Sequence, residues 1–157
     1  MRGGVRLTDM NIVNNWRSYG TTANIQTIED YFRVDEVSSN TFNVFGVHSG
    51  LGENDKPNGF PVTLNSIYLL TYEVRSNMSK LAYGYLMRAS GGNVNILDST
   101  SPINETTFTT QKIYFTSNWN EANAWILIGG KVVDKPSTDP AWFEFKNLKV
   151  YKLDSSI

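Results

Sequence analysis

Between Val62 and Arg75 the chain alternates: Tyr68, Leu70, Tyr72 and Val74 are apolar positions separated by single residues. A period of two lines such residues along one face of a strand, whereas a helix, with its period of 3.6, would scatter them around its circumference. A second run, Trp142 to Lys152, carries a similar alternation close to the C-terminal end. Two long, half-buried strands so far apart in sequence frame an all-β domain, because each needs partners on both sides and a covered face.

Turn residues punctuate the rest. Apolar or aromatic runs fall at 30–34, 42–47, 67–75, 82–88, 93–98, 108–118, 123–129 and 142–152, separated by Ser-, Asn-, Gly- and Pro-rich stretches. The spacing predicts about eight strands in a β-sandwich of two antiparallel sheets. No helical period persists along the chain, so helix is expected only as short pieces in loops. An immunoglobulin-like sandwich shares this spacing but usually shows a Cys-Trp-Cys core or a tyrosine corner, and the chain has no cysteine. The jelly roll is therefore preferred. In jelly-roll order one sheet takes the runs at 30, 142, 67 and 108, and the other those at 42, 123, 82 and 93.

The strand at 67–75, the opening at Asn11–Trp16 and the aromatic closing strand at 142–152 together resemble the jelly-roll carbohydrate-binding modules of the galactose-binding-like superfamily. In the opening, Ile12, Val13, Asn15 and Trp16 approximate the superfamily's apolar stretch, polar turn and aromatic. The resemblance covers residues 10–153. It implies a non-catalytic module whose second sheet curves into a groove for saccharide, and in such modules a structural calcium ion is often held by loop carboxylates. Glu29, Asp30 and Asp154 are the candidates here.

A chain of 157 residues with 40% hydrophobic content supports one core rather than two. Residues 10–157 are expected to form a single domain. Met1 to Arg6 reads as a junction, so residues 1–9 are expected to be a junction or flexible N-terminus of a module cut from a larger protein. A net charge of -1 offers no basic field for nucleic acid, and no apolar run reaches membrane-spanning length. Without cysteine and with a single histidine, His48, the sequence excludes zinc-thiolate sites and thiol nucleophiles, and it shows no nucleophile elbow, phosphate loop or dinucleotide fingerprint. Glycoside hydrolysis needs two facing carboxylates. Glu73 and Glu144 instead fall on polar strand faces beside Arg75 and Lys146, where cross-strand ion pairs account for them. The chain is therefore expected not to be an enzyme.

Aromatic residues make up 13% of the chain. Sugar recognition uses flat apolar rings for the C–H face of a pyranose and nearby polar groups for its hydroxyls. In jelly-roll order Tyr83, Tyr85, Trp125, Asn43, His48 and Arg88 share the second sheet, with Trp16, Tyr19 and Trp119 on flanking loops. These form the expected binding site. The strand at 123–129 is apolar on both faces, so periodicity leaves open which face is exposed. The Asn-, Ser- and Thr-rich texture resembles modules of phage tail and baseplate proteins that hold a virion to host cell-wall polysaccharide. That predicts an extracellular or virion location within a multivalent parent. The alternatives are an accessory module of a secreted glycoside hydrolase and a structural virion domain without a sugar ligand.

Overall fold

A computed structural model describes residues 5–9, 16–18, 22–37, 44–49, 60–78, 83–87, 93–95, 103–131 and 140–153. They form twelve strands: β1 (Val5–Asp9), β2 (Arg17–Ser18), β3 (Ala23–Ile28), β4 (Tyr31–Glu36), β5 (Val44–His48), β6 (Phe60–Val62), β7 (Ile67–Ser76), β8 (Tyr83–Met87), β9 (Asn93–Asn95), β10 (Thr109–Thr116), β11 (Glu121–Lys131) and β12 (Trp142–Lys152). No helix occurs among the described residues. All pairings are antiparallel. The first sheet runs β10-β7-β12-β4-β3, with β1 added beside β12; the second runs β2-β5-β11-β8-β9, with β6 added beside β11.

Both sheets keep the strand order that the sequence predicts, and each of the eight expected runs forms a strand. The four further strands are β1, β2, β3 and β6. Two of these are only two and three residues long, and β3 is a largely solvent-facing edge strand joined to β4 through Glu29 and Asp30. Short or edge pieces carry little alternation, so they leave no clear signal. Residues 5–9 pair with the C-terminal half of β12, Val5 opposite Lys152 and Asp9 opposite Lys149.

On β7, Tyr68, Leu70, Tyr72 and Val74 are buried to 0–2% exposure, as the alternation requires. On β12 the pattern is broken once. Phe143 and Phe145 point inward, and so do Leu148 and Val150, because β12 carries one extra residue between Lys146 (opposite Glu73) and Lys149 (opposite Thr71). Asn147 absorbs the bulge in a left-handed conformation (φ 56°), which its short polar side chain tolerates, and its amide donates to Glu73. The spacing of three between Phe145 and Leu148 is the trace of this bulge in the sequence.

Phe145 is the centre of the core. Trp16 meets it edge-on at 4.9 Å, Phe32 stacks on it at 5.2 Å, and the adjacent Phe143 reaches Phe45 of the second sheet at 5.8 Å. On the opposite, outer face of the first sheet, Glu144 lies between Arg75 of β7 (2.5 Å) and Arg33 of β4 (3.1 Å), its cross-strand neighbours. Trp142 caps Arg33 at 4.1 Å and Phe108 caps Arg75 at 4.3 Å. Burial opposes the charge on Arg33, but hydrogen bonds to Asp35 and Glu144 outweigh it and raise its pKa; that of Arg75 is raised chiefly by its hydrogen bond to Glu144. Of the expected ion pairs Glu144–Arg75 is present, with Arg33 as an additional member, whereas Lys146 pairs with Asp30 and Glu73 accepts from Asn147.

Replacing Phe145 with alanine should lower unfolding stability by about 3–5 kcal/mol, since a large cavity opens where both sheets meet. Urea denaturation of the variant measures this, and a loss below about 1 kcal/mol would remove Phe145 from its central place. Burial also pushes the Tyr72 hydroxyl well above its ordinary value of 10.0. The unfolded chain then ionises first, so this contribution to stability is intact below pH 10.0 and declines as pH rises beyond it. Tyr72→Phe should flatten that decline by up to about 1.4 kcal/mol per pH unit, read as the difference in urea denaturation between variant and parent across the alkaline range.

Candidate functional site

Strand β11 is the axis of the second sheet, and the tertiary structure settles which of its two apolar faces is the core. Ala124, Ile126 and Ile128 are fully buried in the core between the sheets. Trp125, Leu127 and Gly129 therefore belong to the outward face. On β5 the same division puts Phe45 and Val47 in the core and leaves Gly46 and His48 on the outward face. Backbone register then assembles two rows across the sheet. One runs Arg17, His48, Leu127, Tyr85, Asn95; the neighbouring one runs Trp125, Met87, Asn93.

His48 and Trp125 meet at the middle of this face, ring centroids 5.1 Å apart and tilted by 54°. Their meeting depends on Ser49. Its backbone N–H donates to the carbonyl of Ile126 at 2.9 Å, and its hydroxyl accepts from the Ile126 N–H at 3.0 Å, so β5 and β11 remain tied one step past His48. Leu127, between them, is 1% exposed yet lies outside the inter-sheet core. His48 and Trp125 are each partly exposed, with His48 Nδ1 buried, and Arg17, in register with His48, is exposed.

Gly46 and Gly129 face each other across the same two strands. A Cβ on Gly46 would sit 2.3 Å from the Ile128 carbonyl oxygen, and one on Gly129 would sit 2.1 Å from that of Phe45. Both collisions are with backbone, which cannot swing aside as a side chain could. The face is consequently bare of side chains beside the His48–Trp125 pair at these two positions.

No protein-family model matches the sequence, and no curated protein matches it either. Solved structures do resemble it. The CBM22-1 xylan-binding domain from Paenibacillus barcinonensis superposes with a TM-score of 0.61 at 8% identity, over 99% of both chains. The second N-terminal cellulose-binding domain of a Cellulomonas fimi β-1,4-glucanase gives 0.63 at 15% identity, again over 99% of both. A Clostridium thermocellum xylanase, comprising CBM22-1 and GH10 modules complexed with xylohexaose, gives 0.62 at 12% identity, covering 95% of this chain and 29% of that one. The fold is that of the jelly-roll carbohydrate-binding modules.

Within this jelly roll, the structure brings His48 and Trp125 together, and backbone register sets Tyr83 and Tyr85 opposite Gly129 and Leu127 on neighbouring β8. The side chains of those two tyrosines lie outside the described residues, as do Asn43, Tyr19, Arg88 and Asp154. Trp119 is not on this face; it sits in the β10–β11 connection, partly buried against the core, its backbone held by the Ser117 hydroxyl at 2.6 and 3.2 Å. Trp16, expected at the ligand, is a core residue at 4% exposure because Phe145 and its neighbours need an aromatic lid there. Glu29 and Asp30 occupy the β3–β4 turn, where the Asp30 carboxylate lies 3.5 Å from Lys146, and no cluster of three metal-ligating side chains occurs among the described residues. Sequence reasoning missed Arg17, Leu127, Asn93 and Asn95. Alternation around the buried Trp16, and the Asn-Val-Asn of β9, were the available signals for three of them.

Gly129→Ala should cost about 1–3 kcal/mol, as overpacking against a fixed backbone does. Thermal unfolding of that variant beside Ile128→Val tests it. A midpoint within error of the parent would mean that β5 and β11 can separate freely.

Proposed function

We propose that this chain is a non-catalytic carbohydrate-binding module that holds a polysaccharide against the outward face of its second sheet. The observation that carries this reading is the partly exposed His48–Trp125 pair at the centre of that face, flanked by Arg17. An indole ring offers a flat apolar surface to a pyranose, while imidazole and guanidinium supply hydrogen bonds to its hydroxyls. Tyr83, Tyr85, Asn43 and Arg88 complete the proposed set, joined by Asn93 and Asn95 through register. The paired positions of β2, β5, β8 and β9 across β11 hold no two facing carboxylates, so the face is suited to holding a glycan and not to cleaving one.

The ligand class we favour is a β-linked structural polysaccharide, because the similar structures include xylan- and cellulose-binding domains. The parent we favour is a secreted polysaccharide-degrading enzyme in which this module is accessory and extracellular, since a similar module accompanies a xylanase domain. The phage-tail parent draws no such support, and its test is adhesion to Gram-positive cell walls. Shallow saccharide sites bind weakly, so linkage to further modules would strengthen attachment through effective concentration.

The decisive experiment compares parent and Trp125→Ala by affinity electrophoresis in soluble xylan, a soluble cellulose derivative and purified Gram-positive wall polysaccharide. We expect retardation in xylan or the cellulose derivative to fall by roughly tenfold or more in the variant, the value of a lost stacking contact in a small site. Its unfolding midpoint should move by only a few degrees. Unchanged retardation, or unfolding of the variant, would move the site away from Trp125. Retardation in wall polysaccharide alone would restore the phage-tail parent.

A further inference from the structure

The outer face of the first sheet, opposite the proposed glycan face, has an open cleft of about 340 Å³ bordered by Thr71, Glu73, Thr110, Asn147, Lys149 and Tyr151. This volume falls within the range of small-ligand sites. The cleft coincides with the β12 bulge. The extra residue at Asn147 interrupts pairing with β7 between Glu73 and Thr71, and the Asn147 amide is turned onto the Glu73 carboxylate. Bulges of this kind recur beside binding sites because they re-aim side chains.

Register places two further rows at the edge of the cleft. In one, Tyr114, Leu69 and Tyr151 lie side by side on β10, β7 and β12; in the next, Lys112, Thr71 and Lys149 do the same. Tyr114 is 63% exposed, so its ring is open to solvent. Two inter-strand spacings separate the tyrosines, and likewise the lysines, by about 9–10 Å. That span suits alternate units of an oligosaccharide. Beyond β12, register adds Arg6 beside Tyr151 and Asp9 beside Lys149.

Charge selects the occupant. Arg33, Arg75 and Lys146 of this sheet each pair with a carboxylate, and among the described side chains no carboxylate pairs with Lys112 or Lys149. Glu73, the acidic group at the cleft, accepts a hydrogen bond from Asn147. We propose that this surface is a second saccharide site, for a carboxylate-bearing glycan such as a uronic acid oligomer, with Tyr114 and Tyr151 as stacking surfaces and Lys112 and Lys149 meeting the carboxylates. It is separate from the second-sheet site and does not require that face to bind.

Tetragalacturonate is the probe and xylotetraose the neutral control, each titrated into the full chain by calorimetry at about 0.02 M and about 0.3 M salt. Parent, Lys112→Gln/Lys149→Gln, Tyr114→Ala and Trp125→Ala are compared, with circular dichroism confirming the fold of each. The expected result is tetragalacturonate binding that weakens with salt, falls roughly tenfold in the double lysine variant and in Tyr114→Ala, and is unchanged in Trp125→Ala. No tetragalacturonate binding would overturn the proposal, as would loss confined to Trp125→Ala. Equal, salt-insensitive binding of both oligomers at the tyrosines would overturn the charged class of ligand. Failure of the second-sheet reading would instead appear as xylotetraose binding that ignores Trp125→Ala.

Discussion

The aromatic contacts of Phe145 hold the two sheets in their relation, and the remaining geometry depends on them. Trp16 at the entry to β2, Phe32 on β4 and Phe143 beside it on β12 all meet this ring or its neighbour, and Phe143 extends the contact to Phe45 on β5. A sandwich gains stability only from side chains that interdigitate between its layers, and large rings bury the most area per residue. Fixing β5 through Phe45 also fixes the opposite side of that strand, where His48 faces outward. The core and the proposed site are two faces of the same backbone.

Two local irregularities adapt this frame. The bulge at Asn147 lets β12 keep four apolar residues inward while changing its phase, and it opens a cleft on the outer face where the ladder is interrupted. The glycine pair at Gly46 and Gly129 does the converse, bringing β5 and β11 so close that no side chain fits. One device makes room and the other removes it. Each sits beside a surface to which we assign a glycan.

The outer face of the first sheet shows how a carboxylate is kept out of water. Glu144 is only 5% exposed, yet two arginines and the rings that cap them compensate its burial. An uncompensated carboxylate there would be costly, and each of its two oxygens meets an arginine. Lys112 and Lys149, on the same outer face, stand outside that network.

Alternation in β7 and β12, the punctuation by turn residues and the absence of a helical period made the strands legible from the sequence, because period two is imposed by the strand backbone itself, and jelly-roll order then supplied their arrangement in the sheets. Trp125 and His48 were legible as members of one sheet once their strands were set side by side. The short strands β1, β2 and β6 were not, since two to five residues hold too little pattern. Nor could sequence choose between the two apolar faces of β11, or tell the buried Trp16 from the partly exposed Trp125: a tryptophan satisfies a core and a sugar platform equally well. The sequence by itself determined which residues alternate and so which segments are strands. Only the tertiary structure decided which face of each strand meets Phe145 and which meets solvent, because that depends on the opposing sheet and on no local property of the chain.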